Sequence, residues 1–284
     1  MNTDRKKIDL HMHTTASDGT SSPEELLKTC SDLGLETIAV TDHDNTTAVE
    51  AVKKEAKKYN IEVVSGIEIS TYRGEAEYHI LGYFIDIENE SLLGLTEAIL
   101  QSRIDRTHEM VNKLTEMGYP LEFSDVKKFA SGVSLGRPHI ARALMEKGYV
   151  NSINDAFTDE FIGGGGRAYV EKKKVLPVEA ITVILKAGGV PVIAHPYLIN
   201  HGKPLDKKEI ARLKDNGLKG VEVYQTKHNK KTTEKYKKIA EELDLLITGG
   251  SDYHGDNSPG ILPGDRGMTR EEFIKLQNFA ASIV

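Results

Sequence analysis

Short β-rich runs alternate with amphipathic helical patterns along most of this 284-residue chain. This alternation is typical of βα units, and it predicts an α/β fold with a mainly parallel sheet. The chain is long enough to bury one large core, and it falls in the size range of a single α/β barrel. The pattern predicts seven strands, near residues 8–13, 37–41, 62–68, 78–84, 190–195, 220–224 and 245–250.

The alternation stops between about residues 91 and 167, where helical patterns occur without a convincing strand. We therefore predict a barrel formed by residues 1–90 and 168–284, interrupted by a helical subdomain at 91–167. Four glycines at 163–166 end this insert. Such a run suits a hinge or return loop, and a phosphate-binding loop is the alternative.

The composition excludes several partners. A formal net charge of -6 argues against a broadly basic surface, so we expect no stable binding of duplex nucleic acid, although a local basic patch can still bind phosphates. No apolar run is long enough to cross a bilayer or to act as a signal peptide, which predicts a cytoplasmic protein without a membrane partner. Cys30 is the only cysteine, and we expect it to be an ordinary helix residue. The oligomeric state stays open.

Side chains that can bind metals recur at the ends of the predicted strands. His11 and His13 are two residues apart, so on a strand both imidazoles point to one side. The carboxyl ends of barrel strands converge on one face, where barrel enzymes place their chemistry. Asp42 belongs to the same pattern, and nine further residues are candidate metal ligands: His11, His13, Asp18, His43, Glu68, His79, His195, Asp252 and His254.

Nine ligands are too many for one cation, and they predict two or three divalent ions. Imidazoles and carboxylates without thiolates suit catalytic ions better than a structural zinc site. Mn²⁺ is the expected ion, with Fe²⁺ and Zn²⁺ as alternatives.

Four motifs, in their order along the chain, resemble the signature of the PHP (polymerase and histidinol phosphatase) family. They are His11-Met12-His13, Thr41-Asp42-His43, Gly66-Ile67-Glu68 and Asp252-Tyr253-His254. The resemblance covers nearly the whole chain, and it implies a distorted seven-stranded TIM-like barrel with a trinuclear metal site. Within the family the chain looks most like the stand-alone branch that acts on nucleotides and RNA 5′ ends, because Gly136-Arg137-Pro138-His139 stands in a helical insert.

The family pattern also implies how the ligands are shared. One ion would take His11, His13, Glu68 and Asp252; a second would take Asp18, His43 and His254; a third would take Glu68, His79 and His195. Some relatives carry His where this chain has Asp18. That difference bears on which metal is preferred.

The expected reaction is hydrolysis of a phosphate ester by metal-activated hydroxide, with Asp252 or His254 as a proton relay. Arg137 is the best candidate for a phosphate clamp, because a guanidinium makes paired hydrogen bonds to phosphate oxygens. Further candidates for substrate contacts are His139, Arg103, Arg106, Tyr224 and His228.

The expected substrates are small phosphorylated nucleotides, such as 3′,5′-bisphosphates, or short RNA 5′ ends. Histidinol phosphate is the nearest alternative substrate. Amide or ester hydrolysis of the kind that uses a carbamylated lysine is more distant, because no lysine stands at a predicted strand end. A metal-binding module without enzymatic activity is the remaining alternative, although no expected ligand is missing.

Overall fold

The computed structural model describes residues 7–130 and 135–283. Contacts divide the chain into two compact units. Met1–Leu95 and Lys174–Val284 form one, the barrel unit, and Thr96–Lys173 form the other, the helical unit. The domain limits of 90 and 168 drawn from the sequence stay a prediction, and residues 1–6, 131–134 and 284 of those domains lie outside the described part.

The barrel unit is built on a sheet of seven strands whose spatial order follows the chain, β1 to β7. Its strands are β1 (Ile8–Asp9), β2 (Thr37–Val40), β3 (Glu62–Arg73), β4 (Ala76–Tyr83), β5 (Val190–Ile193), β6 (Gly220–Tyr224) and β7 (Leu246–Gly249). Around them lie α1 (Pro23–Asp32), α2 (Thr47–Ala56), α7 (Pro177–Lys186), α8 (Lys207–Asp215), α9 (Lys230–Glu242) and α10 (Arg270–Ala281).

One strand of the sheet is reversed. β4 runs antiparallel to both β3 and β5, whereas the other neighbouring pairs are parallel. The cause is a tight hairpin between β3 and β4, in which Gly74 has a φ of 62° that favours glycine. The start of β4 therefore lies at the face where parallel strands end. This corrects the expectation that every strand presents its carboxyl end there.

The sheet closes between its first and last strands. The backbone after β1 runs beside the backbone after β7: Asp252 N–H donates to the His11 carbonyl (2.8 Å) and His13 N–H to that of Tyr253 (2.9 Å). A Cβ at Gly250 would lie 2.3 Å from the Cβ of His11, so this approach requires glycine. The predicted distorted barrel is confirmed.

The helix starts follow the local sequence. At α1, Glu25 N–H donates to the Ser22 hydroxyl and Ser22 N–H donates to the Glu25 carboxylate, which is a capping box.

The interior of the barrel unit contains two apolar clusters: the strands and α10 bury one, and α1 and α2 bury another that includes Cys30.

The helical unit contains the part of α3 (Glu90–Glu116) from Thr96 onward, then α4 (Phe123–Lys127), α5 (Arg137–Glu146) and α6 (Ile153–Ala156). Its core includes Leu114 and Leu144. The four-glycine run forms hydrogen-bonded turns within this unit, and a Cβ at Gly163 would lie 2.7 Å from the Thr158 carbonyl oxygen. Within the described ranges, no helix combines the length and apolar character that a membrane span requires.

Candidate metal centre

The nine residues predicted as ligands lie together at one end of the barrel. Their ligand atoms form four overlapping sets, in each of which all atoms lie within 4.8 Å of one another. The sets are His13, Asp18, His43 and His254; His11, Glu68 and His195; His11, His13 and Asp252; and His43, Glu68 and His79. Every predicted ligand belongs to at least one set.

Glu68 stands at the centre of the cluster, and its side chain is 1% exposed. Its Oε2 lies 3.1 Å from Nε2 of His11 and 3.2 Å from Nε2 of His13. Its Oε1 lies 2.9 Å from Nδ1 of His79 and 3.0 Å from Nε2 of His195. Nδ1 of His43 also lies 3.4 Å from Oε2, so Oε2 faces three imidazoles and Oε1 faces the other two.

His79 reaches the cluster because of the reversed strand. It stands in the first half of β4, paired with Ser70 of β3, and β3 continues beyond Glu68 to Arg73. Glu68 is therefore in the middle of a 12-residue strand, not at the strand end that the sequence predicted. The long hairpin carries both ligands to the face of the barrel where β1, β2, β5 and β7 end.

Asp252 closes the cluster on the side of β7. Its Oδ1 lies 3.5 Å from Nε2 of both His11 and His13. Asp252 has a φ of 59° and His195 a φ of 24°, and residues other than glycine rarely adopt such backbone conformations. Backbone strain of this kind gathers at functional sites.

Asp18 forms the outer edge of the cluster, with its side chain 51% exposed. Its oxygens lie 3.4 Å from Nε2 of His254 and 3.7 Å from Nε2 of His43. Burial opposes ionisation of Asp18, but the imidazoles of His254, His43 and His13 outweigh it and hold the pKa of this carboxyl below its usual value.

The donor atoms fit divalent cations. Both ring nitrogens of His13 and Nδ1 of His43 and His195 are buried, and they find no hydrogen-bond partner among the described residues. Buried polar atoms are rarely left in this state. Burial alone would lower the pKa of His13, yet the nearby carboxylates of Asp252 and Glu68 raise it to about 10. The carboxylates therefore create a negative field that favours cations, and imidazole with carboxylate suits Mn²⁺, Fe²⁺ and Zn²⁺.

Asp42 does not point to the ligands, although the sequence grouped it with them. Its Oδ1 accepts hydrogen bonds of 2.7 Å from the N–H of Thr14 and the hydroxyl of Ser17, and its Oδ2 accepts one of 2.7 Å from the Thr14 hydroxyl. Asp42 thus holds the loop that follows β1 and carries Asp18.

Two buried residues of β6 and the loop after it were missed by sequence reasoning. Glu222 contacts His11 and the backbone of His195, and Gln225 donates from Nε2 to Oδ2 of Asp252 (3.2 Å). The only available signal was a carboxylate inside an otherwise apolar strand, Gly220–Tyr224.

A cavity of about 590 Å³ opens beside the cluster. Asp18, Asp252 and His254 line it together with Lys227, an exposed lysine that the sequence did not single out. This cavity exposes three predicted ligands to a small molecule and adds a positive charge beside them.

In the helical unit, the guanidinium groups of Arg137 and Arg106 both lie over the ring of Tyr169. Their guanidinium carbons lie 5.5 and 5.4 Å from the centroid of Tyr169. Arg137 donates to the carbonyl of Ile162 (3.2 Å) and Arg106 to that of Val170 (2.7 Å). A guanidinium has five N–H donors, so one bond to a carbonyl leaves others for an anion.

The other predicted substrate contacts have structural partners. His139 accepts a hydrogen bond from Gly136 N–H through Nδ1 (3.1 Å) and so caps α5. The Tyr224 hydroxyl donates to Glu272 of α10 (2.9 Å). The buried ring of His228 bonds the Val223 carbonyl through Nδ1 (3.0 Å), and burial lowers its pKa. Arg103 lies one turn before Arg106 on α3.

The chain is similar to known phosphoesterases over most of its length. Residues 9–123 match the PHP domain. A 5′-3′ exoribonuclease of Haemophilus influenzae is 33% identical over 88% of this chain and 90% of the relative. A 3′,5′-nucleoside bisphosphate phosphatase of Chromobacterium violaceum is 29% identical over 93% and 92%.

Solved structures also resemble the chain over nearly its full length. A Bifidobacterium adolescentis protein described as a metal-dependent phosphoesterase matches with a TM-score of 0.79 and 29% identity, covering 95% of each chain. A Chromobacterium violaceum protein described as an amidohydrolase, solved with bound sulfate and no metal, matches with a TM-score of 0.77 and 27% identity, covering 96% of each.

Proposed function

Because the chain belongs to the PHP-domain family, we propose that it is a metal-dependent hydrolase of nucleotide phosphate esters, acting on 3′,5′-bisphosphates and short RNA 5′ ends. The observation that carries the proposal is the buried cluster centred on Glu68, in which imidazoles and carboxylates converge without thiolates. The exoribonuclease and the bisphosphate phosphatase among its relatives both act on phosphate esters of nucleotides or RNA.

We assign the ligands to three Mn²⁺ ions, with Fe²⁺ and Zn²⁺ as the alternative metals. The sets are His11, His13, Glu68 and Asp252; Asp18, His43 and His254; and Glu68, His79 and His195. Bound divalent ions hold a phosphate, lower the pKa of a water molecule and stabilise the charge on the leaving oxygen. The position of Glu68, with Oε2 near His11 and His13 and Oε1 near His79 and His195, supports its place in two of the sets.

Proton relay and phosphate binding are assigned to residues that can contact a substrate. Asp252 and His254 line the cavity, and we assign them the relay of a proton, with metal activation as the larger effect because a ligating residue is a poor free base. Arg137 and Arg106 bind a phosphate group, since two guanidiniums on one ring are suited to an anion. His139 can contribute only Nε2, because Nδ1 caps its helix.

A substrate panel tests the proposal. Mn²⁺-loaded protein is incubated with adenosine 3′,5′-bisphosphate, 5′-phosphorylated oligoribonucleotides and histidinol phosphate, and released phosphate and mononucleotides are measured. We expect turnover of the nucleotides that is lost in Asp252→Ala and kept in Asp256→Ala, an exposed acid in the same loop. Turnover of histidinol phosphate alone would replace the proposed substrate, and metal binding without any hydrolysis would favour a non-enzymatic module.

A further inference from the structure

The carboxylate of Glu222 contacts two of the assigned ligands from inside the barrel. Its Oε1 lies 2.7 Å from Nδ1 of His11, and its Oε2 accepts a hydrogen bond of 2.7 Å from the backbone N–H of His195. The side chain is 0% exposed. Burial of an ionised carboxylate is costly unless hydrogen-bond donors compensate it, and these two contacts provide donors for both oxygens.

The first contact decides which nitrogen of His11 carries the proton. A carboxylate accepts, so Nδ1 of His11 donates to Glu222, and in the neutral ring that binds a cation the lone pair is then on Nε2. That Nε2 faces the cluster, 3.1 Å from Oε2 of Glu68 and 3.5 Å from Oδ1 of Asp252. Glu222 therefore presents His11 in the form that can bind a cation.

The second contact holds a strained turn. His195 follows β5 with a φ of 24°, and the hydrogen bond from its N–H to Glu222 fixes the backbone there. Its ring places Nε2 3.0 Å from Oε1 of Glu68. One carboxylate on β6 thus orients ligands that follow β1 and β5.

We propose that Glu222 is a positioning residue that couples two of the assigned ligand sets, through His11 in the set of His11, His13, Glu68 and Asp252 and through His195 in the set of Glu68, His79 and His195. The inference rests on the metal-binding part of the proposed function and not on the identity of the substrate. Outer hydrogen-bond partners of this kind typically change metal affinity about 10–100-fold.

The role requires a carboxylate and not only a side chain of this shape. Glutamine has one accepting atom, so its amide nitrogen would face either His11 or the N–H of His195. In the first case His11 must turn its lone pair toward the amide and carry its proton on Nε2, which removes it as a ligand. In the second case two donors face each other and the turn loses its hydrogen bond.

Metal binding by Glu222→Gln tests the coupling, with Thr248→Val as the matched control. Thr248 pairs with Glu222 on β7, is fully buried, and its hydroxyl finds no partner among the described residues. Calorimetric titration with Mn²⁺ and elemental analysis after dialysis are expected to show about 10–100-fold weaker binding at the two coupled sets in Glu222→Gln and wild-type affinity in Thr248→Val. Equal affinity in both variants would overturn the inference.

A spectroscopic measurement tests the tautomer without relying on the variant. In ¹⁵N-labelled wild-type protein loaded with diamagnetic Zn²⁺, long-range ¹H–¹⁵N spectra should show His11 protonated on Nδ1 and not on Nε2, with its signals assigned from His11→Gln. A proton on Nε2 would overturn the inference. Failure of the wild-type protein to bind any divalent ion would instead contradict the proposed function, so the two failures are distinguishable.

Discussion

Asp42 binds Thr14 twice, accepting 2.7 Å hydrogen bonds from both its backbone N–H and its hydroxyl. The bonds join the end of β2 to the loop after β1. Ser17 adds a third bond to the same carboxylate, next to Asp18. A residue of the Thr-Asp-His motif therefore holds the loop that carries Asp18, one of the predicted ligands.

Removal of this carboxylate should weaken the outer edge of the metal centre. In Asp42→Ala the buried donors of Thr14 and Ser17 lose their acceptor, which costs about 1–3 kcal/mol for each unsatisfied group. We expect lower stability in urea unfolding and weaker Mn²⁺ binding at the set that contains Asp18. Asp42→Asn should be milder, because one oxygen still accepts and the Thr14 hydroxyl can rotate. Equal Mn²⁺ affinity in wild type and Asp42→Ala would contradict this role of the loop.

Arg137 should contribute to substrate affinity through its planar guanidinium. Loss of a hydrogen bond to a charged group costs about 1.5–3 kcal/mol, so Arg137→Ala should lower kcat/KM roughly 10–150-fold, mainly through KM. Arg137→Lys should restore little of it, because lysine cannot form paired bonds. Steady-state kinetics on a nucleotide bisphosphate measure the effect. The same loss in Arg142→Ala, an exposed arginine on α5, would show that general charge and not Arg137 is responsible.

Two glycines should respond oppositely to alanine. A Cβ at Gly250 would lie 2.3 Å from the Cβ of His11, so Gly250→Ala should displace that ligand and cost roughly 1–3 kcal/mol or more. Gly94 is exposed within α3, and a Cβ there meets nothing within 4 Å, so Gly94→Ala should stabilise by about 0.5–1 kcal/mol. Denaturant unfolding compares the two. A neutral Gly250→Ala would disprove the close approach of the two strands.

The Cys30 thiol should be protected in the native state. Burial raises its pKa, so the folded thiol stays protonated at a pH where the unfolded thiol, with a pKa of roughly 8.5, ionises. Stability should therefore fall as the pH rises above about 8.5, because the unfolded state then releases a proton that the folded state keeps. Reaction with a chromogenic disulfide reagent at pH 8 should be slow in native protein and complete in urea. Rapid reaction of native protein would contradict the burial of this residue in α1.

The sequence predicted the barrel and the nine residues that converge in it, because strand periodicity and the ends of parallel strands are local signals. It did not predict that β4 is reversed. Alternation of side chains along a strand shows which face of the sheet a residue occupies, but it does not show the direction of the neighbouring strand. The hairpin at Gly74 decides the direction of β4.

The sequence also did not predict the hydrogen bonds of Asp42 and Glu222 that support the candidate metal centre. Asp42 is adjacent to a ligand and has the right chemistry, so pattern alone placed it among metal-competent residues. Its actual partner, Thr14, is 28 positions away. Glu222 is 211 positions from His11, and only the closed sheet brings them within 2.7 Å.

We propose that the cluster around Glu68 binds the ions that support hydrolysis of a nucleotide phosphate ester. The most direct test is the release of phosphate or mononucleotide from adenosine 3′,5′-bisphosphate and 5′-phosphorylated oligoribonucleotides, measured with Mn²⁺, with a chelator, and in Glu68→Gln. We predict hydrolysis that requires the ion, stops on chelation and falls at least about 100-fold in the variant, which loses the charge shared by two ligand sets. Hydrolysis that persists unchanged with the chelator and in Glu68→Gln would rule out this role for the cluster.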